Sequence, residues 1–315
     1  MASLSCLVTG GAGFIGSHVA ERLVGLGHRV RVVDNLSTGN LHNLDHLRDA
    51  VEFVRGDLTD PGVCRQVTTG VELVFHLAAL PSVPRSMMDP WASHDHNVNA
   101  TVQLLLAARG NGVRRIVYSS SSSVYGDTPV LPKVETVEPL PRSPYAAAKL
   151  AGEQYVLAFA RAGLIEAVAL RYFNVFGPRQ SPKSLYAAVI PAFLSAALEG
   201  HAAVLHGDGG QTRDFTYVDN VVDANLLAAT GPAERVNGWP CNIGAGERTS
   251  LVDLLGLVER VSGRRLVVDR QPPREGDVRD SLAGLERARE RLGYVPGVGL
   301  LEGLGRTWAW MRGRP

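Results

Sequence analysis

Short runs of aliphatic and β-branched residues alternate with longer amphipathic stretches through the first half of the chain. Leu4–Val8, Arg29–Val33, Val51–Val54, Leu73–His76, Arg115–Ser119 and Ala167–Arg171 read as strands. Helical spacing marks Ile15–Leu26, Ser93–Arg109 and Tyr145–Arg161 between them. Strands joined by crossover helices predict a parallel sheet covered on both faces, and right-handed crossovers make it doubly wound. After Arg171 the pattern loosens. Pro178, Pro182 and Pro191 interrupt it, Gly207-Asp208-Gly209-Gly210 reads as a turn, and helical spacing returns over Ser250–Val261 and Leu300–Met311. The expected division is a dinucleotide-binding domain over 1–174, to which 214–241 returns, and a smaller C-terminal α/β lobe from 175–213 and 242–315. A lobe over the strand ends leaves a cleft, where open α/β sheets hold ligands.

The charge balance narrows the partners. A formal net charge of +1 gives no basic field for nucleic acid and no polybasic patch for a membrane surface. An anionic ligand therefore has to be held by a few placed groups. Cys6, Cys64 and Cys241 are far apart and lack metal-ligand spacing, so buried thiols in a reducing compartment are expected, with no metal. Residues 1–8 lack the charged start and long apolar stretch of a signal peptide, and no apolar run reaches membrane-spanning length. The expected setting is the cytoplasm.

Gly10, Gly13 and Gly16 follow the first strand and open the first helix. Glycines there allow a tight turn, close approach of a pyrophosphate and close helix–strand packing, and the helix N-terminus presents unpaired N–H groups to the phosphates. This makes the sheet a Rossmann-type one. Asp34 ends the second strand, where a carboxylate accepts from a ribose 2′-OH and repels a 2′-phosphate, so NAD is expected rather than NADP. Asp57, after the third strand, has two readings that the sequence leaves open: contact with the adenine ring, or a capping role near Thr59 and Asp60.

Tyr145 and Lys149 stand four apart at a predicted helix start, so both project from one face. A phenol of pKa near 10 is a poor base at neutral pH, and a nearby ammonium favours the phenolate. Of the 32 Lys and Arg residues only Lys133, Lys149 and Lys183 are lysines, which makes a lysine at this position informative. Ser119–Ser123 follow the fifth strand at the end where a reactive ring would sit, and a hydroxyl there would relay a proton or polarise a substrate oxygen.

Together, Thr9-Gly10-Gly11-Ala12-Gly13-Phe14-Ile15-Gly16-Ser17, Val33-Asp34-Asn35, His76-Leu77-Ala78-Ala79, Tyr145 with Lys149, and Arg171-Tyr172-Phe173-Asn174-Val175-Phe176-Gly177 resemble the extended short-chain dehydrogenase/reductase family over essentially the whole chain. Within it the chain is similar to the UDP-glucose/UDP-N-acetylglucosamine 4-epimerases. The resemblance implies Ser121, Tyr145 and Lys149 as the catalytic set. It implies NAD contacts from Gly10, Gly13, Phe14, Ile15, Gly16, Asp34, Asn35, Asp57, Leu58, Ala78, Ala79, Asn97 and Tyr172. Ser122, Ser123, Asn174, Val189, Arg213, Arg274, Asp277 and Ser281 are implied as the UDP-sugar site, with the two arginines on the diphosphate and Asp277 on the uridine ribose. The implied reaction oxidises C4, lets the 4-keto sugar turn about its diphosphate link, and reduces it from the other face. A homodimer paired through the helices at 93–109 and 145–161 is also implied, although Leu104–Ala108 read equally well as core.

Related enzymes are separated by what stands before Val124-Tyr125-Gly126. The resemblance puts an Asp-Glu pair there in 4,6-dehydratases and a Glu in UDP-glucuronate decarboxylases, whereas this chain has Ser122-Ser123. The resemblance also implies that Ser281 occupies a position where a bulky Tyr excludes N-acetylated sugars, so both the UDP-Glc and UDP-GlcNAc series are expected to enter. A UDP-glucuronate 4-epimerase is the alternative, with Arg179 or Ser181 facing the carboxylate. A non-catalytic NAD-binding sensor is the contrasting class, and it would normally have lost Tyr, Lys or the serine.

Overall fold

Six parallel strands follow one another through the first half: β1 (Ser5–Thr9), β2 (Arg29–Asp34), β3 (Val51–Arg55), β4 (Leu73–His76), β5 (Arg115–Ser121) and β6 (Glu166–Tyr172). The computed structural model describes residues 3–182, 188–273 and 278–313. A seventh strand, Pro240–Ile243, pairs in parallel with β6 and closes the sheet in the order Pro240–Ile243, β6, β5, β4, β1, β2, β3. β1 lies between β2 and β4, so consecutive crossovers leave in opposite directions, and the cleft opens at this switch point.

The strands are apolar because both faces are covered. Helix α1 (Phe14–Gly25) and the helices Val218–Thr230 and Glu286–Leu292 enclose one core, with Val8, Val32, Phe75, Val117 and Val168 at its centre. The helices Pro61–Thr68, Ala100–Gly110 and Pro144–Arg161 enclose the other, with Leu7, Val74, Ile116 and Ala167. Each fully buried aliphatic side chain contributes about 1.5–3 kcal/mol. A third core belongs to the C-terminal lobe. There Val189–Glu199, Leu251–Ser262 and Leu300–Arg312 pack together around Phe193, Leu254, Leu304 and Trp308, with a parallel pair of strands, Ala203–His206 and Val268–Gln271.

The expected doubly wound sheet with its smaller lobe is present, with two differences that matter at the site. β5 runs on to Ser121 because Ser119, Ser120 and Ser121 pair with Leu170, Arg171 and Tyr172. The expected helix at 93–109 is broken into Pro90–His94, a wide turn over Asp95–Asn99, and Ala100–Gly110. Leu104, Leu105, Ala107 and Ala108 are buried within the chain, so core packing accounts for that run, and Leu106 is left exposed. The three cysteines are buried and unpaired. No helix among the described residues is long and apolar enough to cross a membrane.

Candidate active site

A cleft of about 1480 Å³ runs along the C-terminal ends of the strands, from the glycine turn after β1 to the lobe at residues 278–281. Gly10 and Gly16 explain why the turn is glycine-rich. Gly10 has φ +65°, and a Cβ there would lie 2.8 Å from the backbone of Ala78; one on Gly16 would lie 2.3 Å from the carbonyl oxygen of Gly10. The turn brings the start of α1 to the cleft without a side-chain cap at Gly13, so the first-turn N–H groups face open space. That arrangement fits a pyrophosphate.

At the far end of β2, Asp34 is buried and lines the cleft. Its carboxylate accepts from the N–H of Ala12 at 3.0 Å and of Leu36 at 2.8 Å. Burial raises its pKa, and these two bonds offset part of the rise. Each oxygen keeps a lone pair for a ribose hydroxyl. Among the described residues no Lys or Arg is hydrogen-bonded to Asp34, which suits NAD and not a 2′-phosphate. Asp57 accepts from the Thr59 N–H, the Thr59 hydroxyl and the Asn35 amide, and it lines the cleft. Burial acts to raise the Asp57 carboxyl, but those bonds hold it below the usual range. The helix cap itself falls to Asp60, which accepts from Gly62.

Phe14, Ile15, Asn35, Leu58, Ala78, Ala79 and Tyr172 line the same wall. Asn97 does not. It lies in the wide turn, where its amide is spent on the backbone N–H and C=O of Leu80 and on the carbonyl of Ser93. Val189 also stands off the cleft, packed on the lobe's core at the start of its helix, while its neighbour Ala188 lines the wall.

The helix Pro144–Arg161 begins with Ser143 as cap, accepting from the N–H of Ala146, and Pro144 in the first turn. That start places Tyr145 and Lys149 one turn apart at the cleft, against the end of β5. Lys149 is buried and donates to the carbonyl oxygen of Ser119 at 2.7 Å, with the ring of Tyr118 5.0 Å from its Nζ. Burial pulls its ammonium down to about 7. Tyr145 is raised by burial, and a hydrogen bond with Ser121 works against the rise. In the free protein burial is the largest influence on both groups.

Ser121 ends β5 in extended conformation and caps the following turn, accepting from the Ser123 N–H at 3.2 Å and the Ser123 hydroxyl at 2.9 Å. Ser122 and Ser123 line the cleft beside it. Ser120 points the other way, donating to buried Glu153 at 2.6 Å. Glu153 in turn grips Arg171 through both carboxylate oxygens, at 3.0 and 2.6 Å. This buried pair ties the Tyr145 helix to β6 behind the reacting groups.

The lobe supplies the other wall. Asn174, at φ +27°, donates to the carbonyl of Asp214. Arg213 lines the cleft and donates to the carbonyls of Thr212 and Arg279 at 2.9 and 3.2 Å. Ser281 is 8% exposed, lines the cleft and donates its N–H to Thr212. Arg274 and Asp277 lie outside the described residues. Lys133, Arg179 and Gln180 also line the cleft. The same rarity that singles out Lys149 applies to Lys133, but nothing in its local pattern links it to the site.

Comparison with known proteins agrees with this geometry. Residues 6–244 match the model of the NAD dependent epimerase/dehydratase family. The UDP-glucose 4-epimerase of Mycolicibacterium smegmatis is 41% identical over 318 residues, covering 98% of each chain. The structure of a UDP-N-acetylglucosamine 4-epimerase from Methanobrevibacter ruminantium, in complex with UDP-N-acetylmuramic acid, superposes with TM-score 0.93 at 37% identity over 99% of each chain. A UDP-glucose 4-epimerase from Thermotoga maritima with UDP-glucose gives TM-score 0.93 at 39% identity, over 98% of this chain and 99% of that one. With the glycine cradle, Asp34 and the Ser121–Tyr145–Lys149 cluster in one cleft, the chain belongs to the NAD dependent epimerase/dehydratase family.

Proposed function

We propose that the protein interconverts UDP-hexoses epimeric at C4, using NAD bound along the glycine cradle, Asp34 and the β4 end. The observation that carries this reading is the convergence of Ser121, Tyr145 and Lys149 on one cleft at the C-terminal end of β5, with Lys149 bonded to the Ser119 carbonyl. NAD, when bound, supplies the hydride acceptor and donor. Tyr145 takes the C4 hydroxyl proton and later returns it. Ser121 offers a hydrogen bond to the phenolate and the C4 oxygen. Lys149 places positive charge one helical turn from Tyr145, and its N–H groups not used by Ser119 suit ribose hydroxyls. Arg213, with Arg274, neutralises the diphosphate, Asp277 takes the uridine ribose, and Asn174, Ser122 and Ser123 line the sugar's path. Held at the nucleotide and loosely at the ring, the 4-keto sugar turns in place.

Among the described residues, the acids on the cleft are Asp34 and Asp57 at the adenosine end and Asp280, which is hydrogen-bonded by Thr212. None stands among the serines. Dehydration or decarboxylation therefore lacks its acid–base group. Ser281 leaves room for an N-acetyl group, which favours activity on the UDP-GlcNAc series as well as UDP-Glc. Arg179 points its guanidinium at Glu21, Ser17 and His46, which argues against a sugar carboxylate as its partner.

We assign cofactor binding to 1–174 with the returning segment that ends in the Pro240–Ile243 strand, and nucleotide-sugar binding to the rest. Met87, Met88 and Trp91, more than 60% exposed, with Leu106 and Tyr155 exposed on the neighbouring helices, support a homodimer across that face. Free thiols suit a cytoplasmic setting.

The deciding experiment incubates the purified protein separately with UDP-Glc, UDP-GlcNAc and UDP-GlcA and identifies the products. UDP-Gal and UDP-GalNAc are expected. A product only from UDP-GlcA would replace this reading with the uronate one.

A further inference from the structure

The segment after Asn174 turns back onto the cofactor cradle, and Arg179 fastens it there. Arg179 holds φ +68°, a conformation that costs a non-glycine residue energy and persists where its surroundings enforce it. Its guanidinium forms an ion pair with Glu21 on α1, reaches the Ser17 hydroxyl at 3.4 Å and His46 at 3.3 Å, and is only 14% exposed. His46 also meets Glu21, at 3.3 Å. One residue earlier, the carbonyl of Pro178 is hydrogen-bonded to His18 at 2.9 Å. Ser17, His18 and Glu21 all lie in the first two turns of α1, whose N-terminus is the pyrophosphate cradle. Arg179, Gln180, Ser181 and Pro182 share the cleft wall with that cradle.

We infer that Arg179 is a cofactor-retaining residue: paired with Glu21, it latches 177–182 across the start of α1 and closes the path by which NAD leaves. The reaction needs such a device. A dinucleotide lost between the two half-reactions would strand an oxidised sugar in the site, whereas an ordinary dehydrogenase gains by releasing its cofactor each turn. The latch also joins the two lobes at the point where the cofactor and sugar sites meet, because the strained segment leaves directly from Asn174.

The test uses the NAD-loaded protein without any sugar, so it reads the latch whatever the hexose preference proves to be. Bound NAD is exchanged against excess radiolabelled NAD, and the dinucleotide remaining per chain is measured after gel filtration, for wild type, R179Q, E21Q, the double variant and R179K. R179Q and E21Q should each speed exchange about three- to tenfold, as expected for a partly screened ion pair. The double variant should be no faster than R179Q, and R179K should fall between, since it keeps the charge but loses the fork. Glu21 is half-exposed, so E21Q carries the test even if R179Q folds poorly. Wild-type exchange in both single variants would overturn the proposal. So would faster exchange in R179Q with none in E21Q, because Arg179 would then act without its latch partner.

Discussion

The Nζ of Lys149 lies 2.7 Å from the carbonyl oxygen of Ser119, two residues before Ser121 on the same strand. One bond thus anchors the charge of the Tyr145 helix to the strand that carries the serine. Among the described residues the buried ammonium has no carboxylate partner to offset its burial, which pulls it down to about 7 from 10.5. The consequence for stability has a definite sign. Between about 7 and 10.5 the unfolded chain binds more protons at this lysine than the folded one, so stability of the ligand-free protein rises with pH across that window. K149M should flatten that part of a plot of Tm against pH. K149R should keep the fold but lower kcat on the order of a hundredfold, because a guanidinium cannot reproduce a compact ammonium between Ser119 and the cofactor ribose.

Tyr145 carries the proton in the proposed reaction, and burial holds its phenol above 10 in the free protein. Y145F should retain a full complement of NAD while kcat falls by a factor of about a thousand or more. S121A should lower kcat less, and it should move the ascending limb of the kcat/KM profile to higher pH, since Ser121 works against the rise of the phenol. A profile unmoved in S121A would show that the pair is not coupled.

Much of this site is local in sequence, and that part was legible. The glycine turn, Asp34 and the four-residue spacing of Tyr145 and Lys149 each depend on a strand end or a helix face that periodicity reveals. What stayed hidden depends on long-range closure. Pro240–Ile243 is a four-residue strand with a buried Asn242, and its place follows from pairing with β6 and from bonds to the carbonyls of Lys133 and Gly284. The bonding of the Asn97 amide to Leu80 follows from the break at Asp95–Asn99, which a continuous helical pattern does not announce. The grip of Glu153 on Arg171 joins a helix to a strand 18 residues away and leaves no periodic signature.

Glu153 and Arg171 are 0% and 3% exposed at the side chain, and Tyr125 shares the guanidinium at 2.8 Å. Removing one charge leaves the other unpaired in a dry site. E153Q should therefore cost about 3–5 kcal/mol in chemical denaturation. The double variant E153Q/R171M should cost less than R171M and E153Q added together, because the unpaired charge is gone.

Asp214 organises the junction of the two lobes. Its carboxylate accepts from Ala245 at 2.7 Å, Ala283 at 3.0 Å and Gly246 at 3.1 Å, while burial pushes its pKa up to about 6. D214N has one acceptor oxygen for donors that approach from two sides, so an N–H is left facing an NH2 group. A loss of about 1–3 kcal/mol is expected. KM for the nucleotide sugar should rise as well, since Asn174 donates to the Asp214 carbonyl and Ala283 follows Ser281 by two residues.

In the proposed reading Ser281 sets how much room the sugar has. It is 8% exposed and held by its N–H to Thr212, and the small residues Ser122, Ser123 and Gly126 line the same cleft. A tyrosine ring at 281 would occupy the space that an N-acetyl group requires. S281Y should keep turnover of UDP-Glc within a few-fold, while kcat/KM for UDP-GlcNAc falls at least about tenfold, a difference of roughly 1.4 kcal/mol in transition-state binding. The comparison is made between two substrates on one protein preparation, so a general loss of folding would lower both rates together. Equal turnover of the acetylated pair in S281Y and wild type would mean that the acetyl group lies elsewhere, and specificity would then have to be sought at Lys133 or Ser82, which also line this cleft.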